Sequence, residues 1–254
     1  MYHFFVPQAA ICDDKITITG PDVNHIGNVL RMKPGDAIVV SDGQDRDYYC
    51  LIDELTRETV TVSIQPQAVE DSELPASLHL FQGLPKGDKM ELIVQKAVEL
   101  GAVSITPVEM KRSIVKLDEK KKKSRVQRWQ TIAESAAKQS GRRLCPQVRP
   151  VATLREAVAA AGGLDLVLVP YENEHGMEAT RAALSEMSAG KSVGIFIGPE
   201  GGFEPSEIEQ LLAAGGKSIS LGRRILRTET AGLVALSLCM LQLELHGGEA
   251  QPRE

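Results

Sequence analysis

The chain is poor in cysteine and in long apolar runs, and both shortages exclude classes of protein to which it could belong. Its cysteines lie far apart, with no CxxC motif and no paired histidine, which argues against a zinc site and a dense disulfide framework. We expect no metal, and free thiols in a reducing cytoplasm. No run of about 18 apolar residues is present, so no membrane-spanning helix is expected. The first twelve residues lack the basic region of a signal peptide.

Two phosphate-binding fingerprints are also missing. Neither GxxxxGK[ST] nor GxGxxG occurs, which argues against a P-loop and weakens the case for a nicotinamide oxidoreductase. Aromatic residues make up only 4% of the chain, so a stacking platform for single-stranded bases is poorly supported. The remaining composition is ordinary, with 254 residues, 43% hydrophobic and 25% charged. At about 150 residues per domain, that length corresponds to roughly 1.7 globular domains.

The net charge of −5 is unevenly distributed along the chain. Residues 1–73 contain five Lys and Arg against thirteen Asp and Glu, a net charge of −8, whereas the remainder has a net charge of +3. Within that remainder, residues 111–128 contain nine basic and two acidic residues, and residues 138–149 contain no acid. Such density is sufficient to bind a phosphate backbone, although a lysine run is equally consistent with a solvated helix face.

Residues 1–72 have the pattern of a small β-barrel. One short helix is expected, with Asp22 near its N-cap and Arg31 at its end. Residues 65–75 are polar with two prolines and are typical of a linker. Strands are expected at the β-branched runs, which lie at 15–19, 37–40, 48–52 and 59–64.

From residue 73 onward, strands and helices alternate, which predicts a mostly parallel sheet covered on both faces. Expected strands lie at 78–81, 103–108, 164–169, 193–197 and 218–221. Expected helices lie at 88–100, 119–139, 176–187, 205–215 and 229–245. The last helix is apolar on nearly all sides, which indicates burial within one core or between the core and a second subunit. We favour the second arrangement, a homodimer.

Three segments of the second half share one design, in which a short apolar run ends in a loop. These loops begin at Val169, Gly198 and Leu221, and glycines recur in the last two. In open α/β sheets ligands bind beyond the carboxyl ends of strands, so these ends are candidates to line one pocket. Glycines permit close backbone approach, which suits a flat group such as adenine. The alternative for 198–202 is an ordinary tight turn.

Segments 82–91, 134–142, 197–203 and 221–231, with shorter matches at 24–31 and 35–36, resemble one known family. This family is the bacterial 16S rRNA uridine-N3 methyltransferases of the ribosomal RNA small subunit methyltransferase E type, in the SPOUT superfamily. The resemblance covers essentially the whole chain. It implies an α/β fold class, with a PUA-like β-barrel as RNA-binding accessory domain at 1–72. A SPOUT methyltransferase domain at 73–254 would contain a deep trefoil knot and the dimer interface.

The same resemblance implies a cofactor, a partner and a place of action. S-adenosyl-L-methionine would be the methyl donor, and the target would be a uridine near the decoding site of the small ribosomal subunit. The enzyme would take part in rRNA processing and ribosome biogenesis, as a homodimer in the cytoplasm. We expect backbone groups and side-chain methyls of the three loops to bind the adenine. The candidates are Val169, Ile197, Gly198, Glu200, Gly201, Leu221, Gly222, Ile225, Leu226 and Thr228.

The reaction requires that the N3 proton of uracil be removed or that the uracil anion be stabilised as it forms. The catalytic candidates are Arg142, Arg227, Glu200 and Glu229. We prefer the two arginines as anion stabilisers and leave the general base unassigned, although His25 and His175 are further candidates. A carboxylate would serve as base only if burial raised its pKa.

Each candidate also has a purely structural interpretation. Arg142 could interact with a helix dipole, and Arg227 could form an ion pair with Glu229 or Glu200. Glu200 could support its own loop, and Glu229 could cap the last helix. Thr228 or Thr230 is also placed to cap the last helix. RNA contacts are expected at Arg31, Lys86, Lys89, Lys111, Arg112, Lys138, Arg142 and Arg143.

Three other functions stay open. A non-catalytic RNA-binding assembly factor would use the barrel and the basic patches and would not bind S-adenosyl-L-methionine. A knotted RNA methyltransferase with a different target would modify another nucleotide or a 2′-oxygen. A nicotinamide oxidoreductase on a doubly wound sheet would need the phosphate fingerprint that is missing.

Overall fold

The computed structural model describes residues 1–44 and 46–246, which divide into two compact units. The first unit comprises Met1–Glu73 and Ala137–Cys145. The second comprises Leu74–Ala136 and the chain from Pro146 onward. The hydrophobic pattern does not predict that a short segment far along the chain belongs to the first unit.

The first unit contains a six-stranded sheet. Its strands are β1 (Tyr2–Phe5), β2 (Ile11–Cys12), β3 (Lys15–Thr19), β4 (Ala37–Ser41), β5 (Asp47–Leu55) and β6 (Thr59–Ile64). The order is β1-β4-β5-β6-β3-β2, with β1 parallel to β4 and the other pairs antiparallel. Alternate residues such as Ile16, Ile18, Val60 and Val62 point into one apolar core. The four predicted strands are confirmed, whereas β1 and β2 are additional.

The predicted helix between β3 and β4 is shorter and less regular than expected. Helix α1 covers Pro21–Asn24, and a π-helical turn continues it over His25–Val29. The N-cap is Gly20, with φ of +74°, and Asp22 lies two residues later in the first turn, near the N-cap as predicted. Arg31 has φ of +54°, a left-handed conformation that a continuing right-handed helix does not contain.

The second unit contains a seven-stranded sheet. Its strands are β7 (Ser77–Gly83), β8 (Ala102–Glu109), β9 (Gln147–Val148), β10 (Ala152–Thr153), β11 (Leu166–Pro170), β12 (Ser192–Ile197) and β13 (Lys217–Ile219). The order is β10-β8-β7-β12-β11-β13, and β9 also pairs with β8. These pairings are parallel, as predicted.

Six helices complete this part of the fold: α2 (Lys89–Glu99), α3 (Glu119–Ser140), α4 (Leu154–Ala161), α5 (Glu178–Ser185), α6 (Pro205–Ala213) and α7 (Thr228–His246). Apolar residues of α4 and α6 pack on Phe81 and Phe196, whose rings stack 4.4 Å apart. Helices α2 and α7 contact each other and the central strands β7, β8 and β12.

Helix α4 was not predicted, although the sequence contains a signal for it. Thr153 and Glu156 form a capping box, in which each side chain accepts a hydrogen bond from the other residue's backbone N–H. A Thr followed three residues later by Glu, before an apolar run, is the usual signature of such a helix start. The structure therefore places a helix where the strand-and-helix pattern alone suggested only a connection.

Helix α7 is buried on one side only. Leu236 and Leu243 are almost fully buried, whereas Leu241 is 47% and Leu245 is 74% exposed. Of the two arrangements considered, burial on all sides within one core is therefore wrong, and the arrangement shared with a second subunit stays a prediction. The composition predicted no membrane-spanning helix, but Thr228–Leu245 is long and apolar enough to span a membrane by length and composition alone. Core helices of soluble proteins meet the same two criteria.

Candidate functional site

The three predicted loops line one cavity of about 270 Å³. Its lining residues lie within the segments 170–175 at the end of β11, 197–203 at the end of β12 and 220–231 after β13. These segments also contain residues outside the lining, such as Arg227. These loops meet because β11 lies between β12 and β13, which brings the carboxyl ends of all three parallel strands to one edge. The prediction that these strand ends line one pocket is confirmed.

Eight of the ten residues predicted to hold a cofactor line this cavity. The exceptions are Val169 and Gly201. Val169 is fully buried in the core beneath the loops. Gly201 faces Arg112, because a Cβ at this glycine would lie 3.0 Å from the Cβ of Arg112. The eight residues in the lining are Ile197, Gly198, Glu200, Leu221, Gly222, Ile225, Leu226 and Thr228.

The sequence interpretation missed several polar residues of the lining. Glu172 and Glu174 line the cavity, as does His175, one of the two candidate histidine bases. The other, His25, belongs to the first unit and packs edge-on against Phe4. Gly202 has φ of +67°, and a Cβ there would lie 2.7 Å from Glu172 Oε1. The glycine therefore lets the Glu172 carboxylate approach the loop backbone.

Thr228, the first residue of α7, connects three elements of the site. Its Oγ1 donates a hydrogen bond of 2.6 Å to the carbonyl of Gly198 and accepts one of 2.8 Å from Gln82 Nε2. Gln82 is fully buried and also donates to the carbonyl of Gly83. Instead of serving only as a cap, Thr228 joins the end of β7, the Gly-rich loop and the start of α7.

Lys89 forms a second connection between the same regions. Its Nζ lies 2.9 Å from Glu200 Oε1 and 3.2 Å from Glu229 Oε2. Glu200 Oε1 also accepts a hydrogen bond of 3.0 Å from the backbone N–H of Lys86. The three side chains thereby tie the start of α2 to the Gly-rich loop and to the first turn of α7.

The protonation of Glu200 follows from these contacts. Partial burial on its own would raise the pKa of Glu200, but the hydrogen bonds from Lys89 and from backbone N–H groups outweigh it and hold the pKa below its usual value. Glu200 is therefore ionised at neutral pH. This direction is the opposite of the raised pKa that a general base would need.

The two preferred arginines have different surroundings. Arg227 is exposed, and its expected partners Glu200 and Glu229 contact Lys89 instead. Arg142 belongs to the first unit, is 3% exposed, and forms an ion pair with the buried Glu73. Neither Arg142 nor Arg227 is among the described residues that line the cavity. Arg227 lies in the chain between Leu226 and Thr228, which do line it.

Five of the eight basic residues predicted to contact RNA are engaged by carboxylates. Besides Lys89 and Arg142, these are Arg112 with Glu204, Lys138 with Asp22, and Arg143 with Asp71. In addition, Lys111 Nζ donates a hydrogen bond of 2.8 Å to Ser206 Oγ. Within the described part of the chain, the exposed Arg31 and Lys86 form no ion pair.

Comparison with protein families identifies two matching models. An RNA methyltransferase domain matches residues 72–240, and an RNA methyltransferase PUA domain matches residues 18–65. The first match contains all three loops of the cavity, and the second lies within the acidic six-stranded unit.

Individual relatives are similar over nearly the whole chain. The Bacillus subtilis ribosomal RNA small subunit methyltransferase E is 39% identical over 92% of both chains. The Neisseria gonorrhoeae protein of the same name, solved bound to S-adenosyl methionine, is 32% identical with a TM-score of 0.81, over 95% of this chain and 97% of that one. A Legionella pneumophila methyltransferase, solved with the bound cofactor SAM, is 30% identical with a TM-score of 0.81, over 94% and 96%.

We expect Thr228→Val to destabilise the second unit by about 1–3 kcal/mol, because the Gly198 carbonyl and Gln82 Nε2 would each lose a buried partner. Chemical denaturation gives the free energy of unfolding. Thr228→Ser retains the hydroxyl and should stay close to the wild-type value. Equal stability of the Val variant and the wild type would show that these hydrogen bonds do not hold the loop.

Proposed function

The chain belongs to the RNA methyltransferase family, of the ribosomal RNA small subunit methyltransferase E type, and on that premise we propose that it methylates N3 of a uridine in 16S rRNA near the decoding site. S-adenosyl-L-methionine is the methyl donor. The observation that supports this most is the convergence of three strand ends on one cavity, two of them followed by glycine-containing loops, in a chain whose solved relatives bind this cofactor.

The chemistry of the cavity fits S-adenosyl-L-methionine. Ile197, Leu221 and Leu226 offer apolar surface for the adenine, and Gly198 and Gly222 allow close approach of the backbone to a flat ring. The carboxylates of the lining complement the positive charges of the cofactor. When bound, the cofactor supplies a methyl group already activated by the positive charge of its sulfonium.

The protein has to prepare uracil N3, whose proton must leave before the nitrogen can attack. We propose that Arg227, exposed and free of a carboxylate partner among the described residues, stabilises the uracil anion through a carbonyl oxygen. Glu200 and Glu229 instead hold Lys89 and fix the loop and the helix. Arg142 is held by Glu73, which favours a structural role for it.

We expect Arg227→Ala to lower the single-turnover rate of methylation by about 10²- to 10³-fold, the usual cost of losing one donor to a developing anion. Arg227→Lys, which keeps the charge, should lose less. Arg142→Ala serves as the contrasting variant, since it should mainly reduce stability by leaving Glu73 buried without its partner. A near wild-type rate for Arg227→Ala would contradict the assignment.

Charge and family together indicate where RNA is bound. We propose that the PUA domain acts as an accessory RNA-binding domain and that the basic remainder of the chain, with its net charge of +3, carries most of the RNA contacts. Modification of rRNA in a bacterium implies action in the cytoplasm, and the chain would act in ribosome biogenesis.

We further propose that the segment 221–228 forms part of a deep trefoil knot. Strand β13 lies at the edge of the sheet beyond β11, yet the following helix α7 contacts β12 and β7. The chain therefore returns across the carboxyl edge of the sheet immediately after β13. An experimental structure in which this return passes outside the neighbouring loop would contradict the knot.

The exposed side of α7 supports a homodimer. Leu241→Glu combined with Leu245→Glu should convert the dimer to a monomer, because two buried charges would face an apolar interface. Sedimentation equilibrium gives the mass in solution. Leu212→Glu, at an apolar residue of α6 that is 40% exposed, is the matched control and should stay dimeric. A wild-type chain that sediments as a monomer would contradict the proposal.

The reaction itself is tested by mass-spectrometric mapping of small-subunit rRNA from cells that lack the protein. We expect one uridine to lose its N3-methyl group and to regain it when protein and S-adenosyl-L-methionine are added in vitro. Parallel add-back to naked 16S rRNA and to assembled subunits identifies the substrate. Unchanged rRNA in the deficient cells would contradict the proposal, and an assembly factor would in addition fail to bind the cofactor in calorimetry.

A further inference from the structure

Two adjacent arginines lie at the rim of the cavity. Arg223 and Arg224 both belong to its lining, and both are exposed. The next side chain, Ile225, is 90% exposed although it is large and apolar. Gly222, which precedes them, has φ of +106°, so the backbone turns at this residue. The segment 222–225 therefore presents its side chains to solvent at the cavity mouth.

The positive charge of this pair is not neutralised by any residue that the structure describes. Among the residues that the structure describes, neither Arg223 nor Arg224 forms an ion pair or a side-chain hydrogen bond. The carboxylate of Glu200 in the same cavity is engaged by Lys89. The remaining acids of the lining, Glu172 and Glu174, follow β11 on another loop.

This situation differs from that of most other candidate cations. Lys89, Arg112 and Arg143, for example, already contact carboxylates, so binding a phosphate would require them to leave or share a partner. Arg223 and Arg224 have no such competitor. A guanidinium binds phosphate oxygens through two parallel hydrogen bonds, and two adjacent guanidinium groups favour a polyanion over a single charge.

We propose that Arg223 and Arg224 bind the phosphate backbone of the RNA strand on either side of the nucleotide that enters the cavity. This inference rests on the proposed function, since it deepens how the same site takes its substrate. Because the pair lines the cavity, its phosphate contacts would fix the register and orientation of the RNA at the point where the target nucleotide enters.

The test is the salt dependence of binding to a 16S rRNA transcript. For Arg223→Gln combined with Arg224→Gln, we expect weaker binding and a slope of log Kobs against log salt smaller by about 1.4, or about 0.7 for each lost phosphate contact on a single strand. The double Lys variant keeps both charges and should keep the slope. An unchanged slope in the Gln variant overturns the proposal.

The control variant removes two charges elsewhere. Arg155 on α4 and Arg181 on α5 are exposed, form no ion pair within the described residues, and do not line the cavity. Arg155→Gln combined with Arg181→Gln should leave the single-turnover methylation rate at saturating RNA unchanged. The variant of Arg223 and Arg224, called the arginine variant, should lower that rate at least tenfold. An equal effect of both variants on slope and rate overturns the proposal, because overall charge would then explain it.

Calorimetry separates RNA binding from cofactor binding. The arginine variant should bind S-adenosylhomocysteine within twofold of the wild type. If its affinity for S-adenosylhomocysteine falls while that for 5′-methylthioadenosine, which lacks the carboxylate, is unchanged, the arginines hold the cofactor and the proposal is overturned. Failure of the proposed function appears separately, as a wild-type protein that neither binds S-adenosylhomocysteine nor methylates rRNA.

Discussion

The hydroxyl group of Thr228 is the contact on which the arrangement of the cavity depends. One oxygen donates to the carbonyl of Gly198 and accepts from Gln82, so a loop, a strand end and a helix start share a single buried atom. Gly83 makes the junction possible, because a Cβ there would lie 2.7 Å from the backbone nitrogen of Pro199. Loops normally vary in position, and this contact holds two of the three loops of the cavity at a fixed separation.

Electrostatics gives the same regions a second attachment. Lys89 bridges Glu200 and Glu229, and its own pKa is raised, first through the hydrogen bond from its ammonium to Glu200. Because the pKa of Glu200 is lowered, the stabilisation from this contact is present at neutral pH and is lost as the pH falls through the lowered value. Glu200 and Glu229, which the sequence offered as catalytic candidates, thus hold Lys89 in the structure. We propose that the guanidinium groups at the rim, unpaired among the described residues, bind the substrate instead.

Much of the fold is determined locally and is visible in the sequence. The alternation at 59–64 predicts β6 at the same bounds, because one face of a half-buried strand must be apolar. The expected helix at 88–100 is directly followed by Gly101, which has φ of +88°, a conformation that glycine adopts readily at the end of a helix. The element that the sequence did not predict at the N-terminus has a non-local cause. The short strand β1 forms because it pairs in parallel with β4, where Tyr2 lies opposite Ile38, 36 residues further along the chain. No local pattern reveals this pairing.

The sequence by itself determined the type and order of most elements, the three strand ends that form the cavity, and the resemblance that names the family. Only the tertiary structure decided how each charged residue is used. Arg142 and Arg227 look alike in the sequence, yet one is buried against Glu73 and the other is exposed. Whether a charge is paired depends on which carboxylate the fold brings within a few ångströms, and Glu73 lies 69 residues before Arg142. Local patterns report which side chains are present and which face they occupy, whereas pairing over such separations is a property of the folded chain.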